Sequence, residues 1–213
     1  MSTTTGRPYG GKTPEDRALE RRGRLMEAGL DLIADKGLGA ATIEALCRRA
    51  RLNPRYFYEH FRTRDALVLA LYDATIDELR EAVSVAVAEA REASPDDVRA
   101  ITRAGVQAFV GVMLGDERKA WLCYVAMVGL SGEAERHRRA TLRELAAMNE
   151  GLFDDFAGRG VLPRRDFSLS AVALVAAADG LLLDWVASKR RVPVEALVDE
   201  LVELYAAILA RHA

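Results

Sequence analysis

Signals that start helices recur along the chain, and they constrain its fold more than any other feature. Thr13-Pro14-Glu15-Asp16, Asn53-Pro54 and Ser94-Pro95-Asp96-Asp97 each combine a capping side chain with a proline or an acidic first turn. No stretch of useful length alternates apolar and polar residues as a half-buried strand does. The sequence therefore predicts an all-α protein of about nine helices.

Glycines, prolines and caps also predict where the helices begin and end. The first helix should run from residue 14 to about residue 36, where Gly37 and Gly39 can adopt left-handed caps. Short helices should follow Thr42 and Asn53, and a long one should follow Thr63. Later helices are predicted at about 94–114, 115–131, 133–157, 167–190 and 193–211. We expect a disordered arm at 1–12, a three-helix helix-turn-helix domain at 13–65, and a helical ligand-binding and dimerisation domain at 66–213.

Charge is distributed unevenly along the chain, although the net charge is only −2. Residues 1–65 hold 13 Lys/Arg and 9 Asp/Glu, whereas the remainder holds 17 and 23. Residues 48–64 contain six arginines and a single acid, Glu59. A local basic patch on an acidic protein is typical of a nucleic-acid contact, but a solvated charged face would give the same counts.

Several function classes lack their sequence signals. Cys47 and Cys123 form no disulfide framework and have no metal-ligand spacing around them. His60, His137 and His212 lie far apart, and no phosphate loop, nucleophile elbow or dinucleotide fingerprint is present. We therefore expect no enzyme activity, no cofactor and no metal. The first twelve residues contain no apolar leader and the longest apolar run, 171–178, is short, which predicts a cytoplasmic, nucleoid-associated protein without a membrane contact.

Two very short helices joined by a tight turn are predicted between Thr42 and Phe61. Such helices are too short to be stable alone, so they must pack against the helices on either side. Since the second of them is basic, the pair has the pattern of a helix-turn-helix, whose second helix enters the major groove. Phe57 and Phe61, four residues apart, should form its buried side.

Residues of about 20–72 resemble the DNA-binding domain of the TetR family. The resemblance is carried by Thr42-Ile43-Glu44-Ala45-Leu46 and by the aromatic block Phe57-Tyr58-Glu59-His60-Phe61, which a basic cap and a Leu-rich helix follow. This chain has Arg51 in the turn where the family usually has glycine. We expect Arg51 to adopt a left-handed or bridge conformation.

The resemblance implies a set of operator contacts. Phosphate contacts are expected from Thr42, Tyr58 and His60, base contacts from Arg55 and Tyr56, and a contact with the DNA backbone across the groove from Arg64. A histidine within an aromatic cluster is also typical of a structural hydrogen bond, so this alternative stays open for His60. Arg48 and Arg49 are as well explained by solvation as by DNA binding.

The last two predicted helices have features of a dimer interface. The final helix carries two apolar stripes where a monomeric surface helix usually needs one, and the preceding helix has small residues that permit close approach. The predicted interface residues are Ala173, Ala177, Gly180, Leu197, Leu201, Leu204, Tyr205 and Ile208. A two-fold homodimer predicts a palindromic operator in double-stranded DNA. The alternative is that both helices lie in the centre of a monomer.

The middle helices contain residues suited to an apolar pocket with a few polar groups. The predicted ligand-binding residues are Phe109, Met113, Trp121, Tyr124, Met127, Asn149, Phe153, Asp179 and Trp185. Met and aromatic residues at helical spacing are more often part of an ordinary core, and this alternative stays open for each residue. The resemblance implies a ligand-responsive regulator, a repressor released from its operator when a small apolar or amphipathic effector shifts helix four. The alternative is a helix-turn-helix protein that organises DNA or binds a protein partner without sensing a metabolite.

Overall fold

The computed structural model describes residues 13–127, 130, 132–188 and 192–210. Within these ranges the chain forms nine α-helices and no strand, which confirms the all-α prediction. The expected arm at 1–12, with Arg7 and Lys12, lies outside the described residues, as do Lys189, Arg190, Arg191 and His212. The helices are α1 (Pro14–Lys36), α2 (Ile43–Ala50), α3 (Pro54–His60), α4 (Arg64–Ala93), α5 (Val98–Gly115), α6 (Glu117–Trp121), α7 (Gly132–Gly158), α8 (Ser168–Ala187) and α9 (Val194–Ala210).

The first four helices begin at the caps that the sequence predicts. Thr13 and Asp16 form a reciprocal capping box, in which each side chain accepts a hydrogen bond from the other residue's backbone N–H. Thr42, Asn53 and Thr63 each accept a hydrogen bond from a backbone N–H in the first turn of α2, α3 and α4. Local chemistry therefore fixes where each helix of the amino-terminal domain begins.

The turn between α2 and α3 has the left-handed conformation expected at Arg51, with φ 52° and ψ 48°. The backbone N–H of Arg51 donates to the carbonyl of Arg48, and that of Leu52 donates to Cys47. Arg24 on α1 donates to the carbonyls of Ala50 and Arg51, so a guanidinium binds the outer side of the turn. These contacts stabilise a backbone conformation that is unfavourable for a side chain with a Cβ.

The core of the amino-terminal domain is built from side chains of all four first helices. Leu25, Leu46, Phe57 and Leu67 are fully buried, and Phe61 is nearly so. Gly29 allows α4 to approach α1, because a Cβ at this position would lie 2.7 Å from Cδ2 of Leu67. Phe57 and Phe61 are thus core residues, as predicted.

Helix α4 belongs to both parts of the molecule. It has 30 residues, which corresponds to a length of about 45 Å. Its first half packs on α1 through Leu67 and Leu71, and its second half packs along α5. The segment that holds the helix-turn-helix in place therefore continues into the carboxy-terminal domain.

The carboxy-terminal helices depart from the predicted bounds in several places. Asp97 rather than Ser94 caps α5, because Ser94 ends α4. The helix predicted at 115–131 is instead the short α6, followed by a π-helical segment at Leu122–Ala126, which we call the π-turn. Gly37 takes a φ of 77° at the end of α1 but not the left-handed α conformation, and Gly39 lies in a 3-10 turn at Leu38–Ala40.

Candidate DNA interface and effector cavity

Helix α3 presents a polar face to solvent opposite its buried phenylalanine. The Arg55 side chain is 84% exposed and Tyr58 is 60% exposed, while Phe57 on the opposite side is fully buried. Arg55 forms an ion pair with Glu59, one turn later, with 3.3 Å between Nε and Oε1. Both predicted contact residues are therefore accessible to a groove of DNA.

Tyr56, the second predicted base contact, is partly covered by helix α1. The guanidinium carbon of Arg21 lies 4.7 Å from the centroid of the Tyr56 ring, and Arg21 also lies 3.8 Å from Glu59. One face of the ring is occupied by this cation–π contact. Tyr56 therefore has its orientation fixed before any DNA is bound.

Two of the predicted phosphate contacts lie at helix amino termini. The Thr42 oxygen accepts a hydrogen bond from the N–H of Ala45 at 3.2 Å, so the hydroxyl proton is still available to a phosphate oxygen. Arg64 donates to Asp65 through Nε and Nη2, at 3.0 and 2.8 Å. The remaining N–H groups of its guanidinium can bind a phosphate, and both residues lie where the helix dipole favours an anion.

His60 is half-buried among the helices that hold α3. Burial, followed by the positive charge of Arg21, lowers the pKa of His60, so its ring is neutral at pH 7. Its Nε2 atom is buried and has no hydrogen-bond partner among the described residues. In this arrangement, a phosphate contact from His60 has to use Nδ1.

The structure distinguishes Arg48 from Arg49, whose roles the sequence leaves open. Arg49 is bound to Asp31 on α1, with 2.7 Å between Nη2 and Oδ2, and it also lies 3.7 Å from Asp35. Arg48 is exposed, and the described residues offer it no ion pair within 4 Å. Arg48 is therefore the better candidate for an additional phosphate contact, and only the packing of α1 on α2 reveals the difference.

A network of charges joins the carboxy-terminal domain to the helix-turn-helix. Arg118 on α6 donates to Glu27 at 2.7 Å and to Asp31 at 2.5 Å, and Asp31 also accepts from Arg49 on α2. Burial alone would raise the pKa of Asp31, but the hydrogen bonds from Arg49 and Arg118 outweigh it and leave the pKa lowered. Asp31 therefore carries a negative charge that pairs with arginines of both α2 and α6.

The carboxy-terminal domain contains a half-open cavity of about 440 Å³ between α4, α5, α7, α8 and α9. Most of its lining is apolar, and Gly105 permits α5 to lie close to Val87 of α4, with 3.1 Å from a Cβ at this glycine to Cγ2. The volume is within the range of small-molecule sites. The main apolar lining residues are Leu79, Val83, Val87, Ile101, Val106, Phe109, Leu145, Leu152 and Val175.

A few polar groups interrupt this apolar lining. Asn149 accepts a long hydrogen bond of 3.4 Å from the hydroxyl of Tyr205. Asp179 accepts a hydrogen bond from Tyr124, which lies in the π-turn. Burial raises the pKa of Asp179 to about 6, against the lowering effect of Tyr124 and Arg138.

The predicted ligand-binding residues divide into two groups. Phe109, Asn149 and Asp179 line the cavity, and Tyr124 reaches it through its hydrogen bond to Asp179. The others do not line it: Met113, Met127 and Phe153 are buried core residues, Trp121 is half-buried on α6, and Trp185 donates to the carbonyl of Val192. An apolar side chain fits a tight core as well as a cavity, and periodicity does not distinguish the two.

Helix α8 exposes an apolar stripe to solvent. Leu169 is 83% exposed and Val172 51%, and Ala173, Gly180 and Leu183 continue the stripe along the helix. In the described part of the chain, α8 is the helix whose length and hydropathy would also suit a membrane span, a test that core helices of other proteins pass too. The predicted interface residues Ala173, Ala177 and Gly180 belong to this stripe or flank it.

The contribution predicted from α9 needs correction. Leu197 and Leu201 are buried within the protomer, so they have almost no surface to give to a partner. Leu201 and Tyr205 line the cavity instead. Leu204 and Ile208 are half-buried against the protomer's own core. The apolar stripes of α9 are thus mostly used inside the chain, because α9 packs on both α5 and α8.

Comparison with known proteins agrees with this geometry. Residues 25–71, which include α2, α3 and the first turns of α4, match the family model "Bacterial regulatory proteins, tetR family". This segment of the chain is similar to regulatory proteins of the TetR family. The match covers less than a quarter of the chain.

Two curated relatives are transcriptional regulators. The transcriptional activator FasR of Mycolicibacterium smegmatis is 32% identical over 104 residues, which cover 49% of this chain but only 44% of FasR. The regulator BetI of Stenotrophomonas maltophilia is 27% identical over 165 residues, 76% of this chain and 80% of BetI. Only the second alignment extends over most of both proteins.

Several solved structures share the fold of this chain. FadR of Bacillus halodurans has a TM-score of 0.77 at 16% identity, covering 95% of this chain and all of FadR. FadR of Bacillus subtilis, in complex with stearoyl-CoA, has a TM-score of 0.73 at 13% identity, over 88% and 97% of the two chains. AibR, in complex with isovaleryl coenzyme A and operator DNA, has a TM-score of 0.64 at 18% identity, over 86% and 97%.

Proposed function

We propose that this chain is a TetR-family regulator, a dimeric repressor that binds a palindromic operator and leaves it when a small amphipathic effector enters the cavity. One observation carries the proposal: the single helix α4 packs on the helix-turn-helix with one half and lines the cavity with the other. A change in the cavity that shifts α4 also shifts the base of the recognition helix. The cavity disfavours the alternative of a DNA-organising protein without a metabolite ligand.

The operator contacts are assigned to the exposed polar side of α3 and the helix amino termini beside it. Arg55 reads bases, because an exposed guanidinium at the start of a recognition helix can bind the O6 and N7 atoms of guanine together. Tyr56 reaches base edges from its position beside Arg21. The phosphate contacts come from Thr42, Tyr58, His60 and Arg64, which position the domain.

The dimer is assigned to the exposed stripe of α8 together with the neighbouring surface of α9. Ala173, Ala177 and Gly180 are small enough to let two copies of α8 approach closely across a two-fold axis. The exposed leucine and valine side chains beside them would be buried by a partner. Two recognition helices related by this axis would read two half-sites, which is why the operator is expected to be palindromic. Such a protein works in the cytoplasm, on the nucleoid.

The effector site is assigned to the cavity. Two structures of the same fold were solved with acyl-CoA ligands, and one of these also contains operator DNA. These structures support the proposal that a domain of this fold binds an effector. They do not determine which head group this chain prefers. Binding would favour an arrangement of α4 that separates the recognition helices by the wrong distance, so effector and operator would antagonise each other.

Selection of random duplex DNA on the purified full-length protein, at near-physiological salt, tests the operator assignment. We expect a palindrome to be enriched. Arg55→Ala should relax the preference at one base position per half-site, and Tyr58→Ala should weaken all selected sites similarly, since it removes a phosphate contact. Arg99→Ala, on the far domain, is the matched control. Salt-sensitive binding without an enriched sequence would support the DNA-organising alternative instead.

A further inference from the structure

The cavity contains a carboxylate that no cation neutralises directly. Asp179 lies on the inner side of α8 and lines the cavity, and the described residues give it no ion pair within 4 Å. Its hydrogen bond comes from Tyr124, a neutral donor, since burial raises the pKa of that phenol well above its ordinary value. A buried charge without a counter-ion is costly, and buried charges in proteins are normally paired with an opposite charge.

The other charged groups around the cavity already have partners. Arg80 is paired with Glu144 across α4 and α7, and Arg91 is paired with Asp155, with 2.6 Å between Nη2 and Oδ2. Arg138, the cation whose field reaches Asp179, is hydrogen-bonded to Glu135 at 3.0 Å. The cavity therefore presents one uncompensated negative charge and no uncompensated positive charge among its described groups.

The remaining polar groups suit a donor rather than an acceptor. Among the described residues, the carbonyl oxygen of Asn149 accepts one hydrogen bond, the long 3.4 Å bond from Tyr205, so it can take a second donor. The rest of the lining is aliphatic, with the Phe109 ring. A ligand that fits this chemistry has several N–H donors at one end and an apolar body.

We propose, building on the effector role proposed above, that the cavity binds an organic amine in its protonated form, whose ammonium group pairs with Asp179 and whose apolar body fills the aliphatic lining. The ammonium supplies the counter-ion that Asp179 lacks and can donate a second hydrogen bond to Asn149. A carboxylate at the same position would face Asp179 with a like charge. The multiple phosphates of an acyl-CoA would find Arg80 and Arg91 already paired.

The contact between the ammonium group and Asp179 is linked to the helix-turn-helix through α6. Tyr124 lies in the π-turn that follows α6, and α6 carries Arg118, which binds Asp31 of α1. An ammonium group competes with the Tyr124 hydroxyl for the oxygens of Asp179. Binding of the amine thus acts on the π-turn, a local helix irregularity of a kind that often occurs at functional sites.

Three probes with the same chain and different heads test the proposal: octylamine, octanol and octanoate, titrated calorimetrically into the full-length protein at pH 7.5. We expect octylamine to bind about tenfold or more tightly than octanol, because a charge-assisted hydrogen bond is stronger than a neutral one. Octanoate should bind more weakly than octanol. Tighter binding of octanoate than of octylamine overturns the proposal, as does absence of octylamine binding.

Variants identify the residue responsible. Asp179→Asn should abolish the preference for octylamine over octanol while octanol still binds, and Asp154→Asn, an exposed acid on α7, should leave the preference unchanged. Thermal unfolding checks that both variants fold. An unchanged preference in Asp179→Asn overturns the proposal even if octylamine releases the operator. Failure of the unliganded protein to select any operator contradicts the proposed function instead, and the two failures are thereby distinguished.

Discussion

Arg51 is the residue at which the local backbone and the side chain conflict most directly. Apart from glycines, it has the only positive φ among the described residues, and it lies in the turn that orients the recognition helix. A residue with a Cβ in this conformation costs about 1–2 kcal/mol, and glycine avoids this cost. Part of the gain is offset because glycine has more conformational entropy in the unfolded chain. The hydrogen bonds from Arg24 go to backbone carbonyls, so they do not depend on the Arg51 side chain.

Arg51→Gly should therefore raise the free energy of unfolding by about 0.5–1 kcal/mol relative to Arg51→Ala. Both variants remove the same charge, so the alanine variant is the matched control for lost phosphate attraction. Urea unfolding followed by circular dichroism measures the difference. Equal stability of the two variants would mean that the turn is not strained at this residue.

Asp179 should make the unliganded protein less stable at neutral pH. Its pKa of about 6 in the folded state lies above the ordinary value of 3.8, so folding favours the protonated form. Stability from this group is complete below about pH 4 and is lost as the pH rises through 6. Asp179→Asn should raise the free energy of unfolding by about 1–3 kcal/mol at pH 7.5, since each pKa unit corresponds to about 1.4 kcal/mol.

The check is the difference in stability between wild type and Asp179→Asn across pH 4 to 8. The difference should grow with pH up to about 6.5 and then stay constant, while Asp154→Asn should show no such trend. A variant that is less stable than wild type at pH 7.5 would indicate that the carboxylate stabilises the fold, contrary to its burial without a cation.

At the scale of the helices, the ion network between α6 and α1 is expected to transmit the effector signal. Arg118 holds three carboxylates, from Asp116, Glu27 and Asp31, and only the last two belong to the DNA-binding part. Arg118→Ala should change operator affinity less than about threefold but reduce the effect of a bound effector on that affinity several-fold, since coupling energies of this kind are about 1–3 kcal/mol.

Arg99→Ala is the matched control for this prediction. Arg99 pairs with Glu203 on α9 in a partly exposed ion pair of similar type, but in the described part of the chain it forms no ion pair with α1. Fluorescence anisotropy of a labelled operator, with and without effector, measures both quantities. If Arg118→Ala responds to the effector as wild type does, the signal travels through α4 alone.

Helix boundaries in the amino-terminal domain were predictable because each depends on a few neighbouring residues. Thr13, Thr42, Asn53 and Thr63 act as caps whatever the rest of the chain does. The π-turn and the early end of α6 were not predictable, because they depend on how α6 packs against α1, α5 and α8. Ser94 and Asp97 are both suitable residues to cap α5. Asp97 is the cap because α4 extends as far as Ala93 and Ser94 ends it.

The candidate sites also contain some residues that the sequence predicts and others that it does not. Arg55 and Tyr58 are exposed because Phe57 must be buried, which helical periodicity alone implies. Whether Met113 or Phe109 faces a cavity depends on the distance between helices that are far apart in the sequence. Asp179 could be noticed as a polar residue on an apolar helix, but its lack of a counter-ion becomes visible only when α4, α5, α7 and α9 surround it.

At the scale of the whole molecule, the apolar stripe of α8 is expected to hold the dimer together. Val172→Glu should convert the protein largely to monomers at micromolar concentration, because it places charges on both sides of a two-fold axis. Val85→Glu, on an exposed valine of α4 outside the stripe, should leave the dimer intact. Analytical ultracentrifugation gives the masses. A wild-type protein that sediments as a monomer, or a Val172→Glu dimer, would place the interface elsewhere.

We expect effector and operator to compete through one conformational equilibrium, and their reciprocal affinities measure this competition. The ligand used is whichever library compound raises the melting temperature of wild type most and loses this effect in a cavity-filling variant, Val87→Trp. At saturating compound, the operator Kd should rise about tenfold or more, and saturating operator should raise the compound's Kd by the same factor. An operator Kd that stays the same when the cavity is filled would show that effector and operator do not compete.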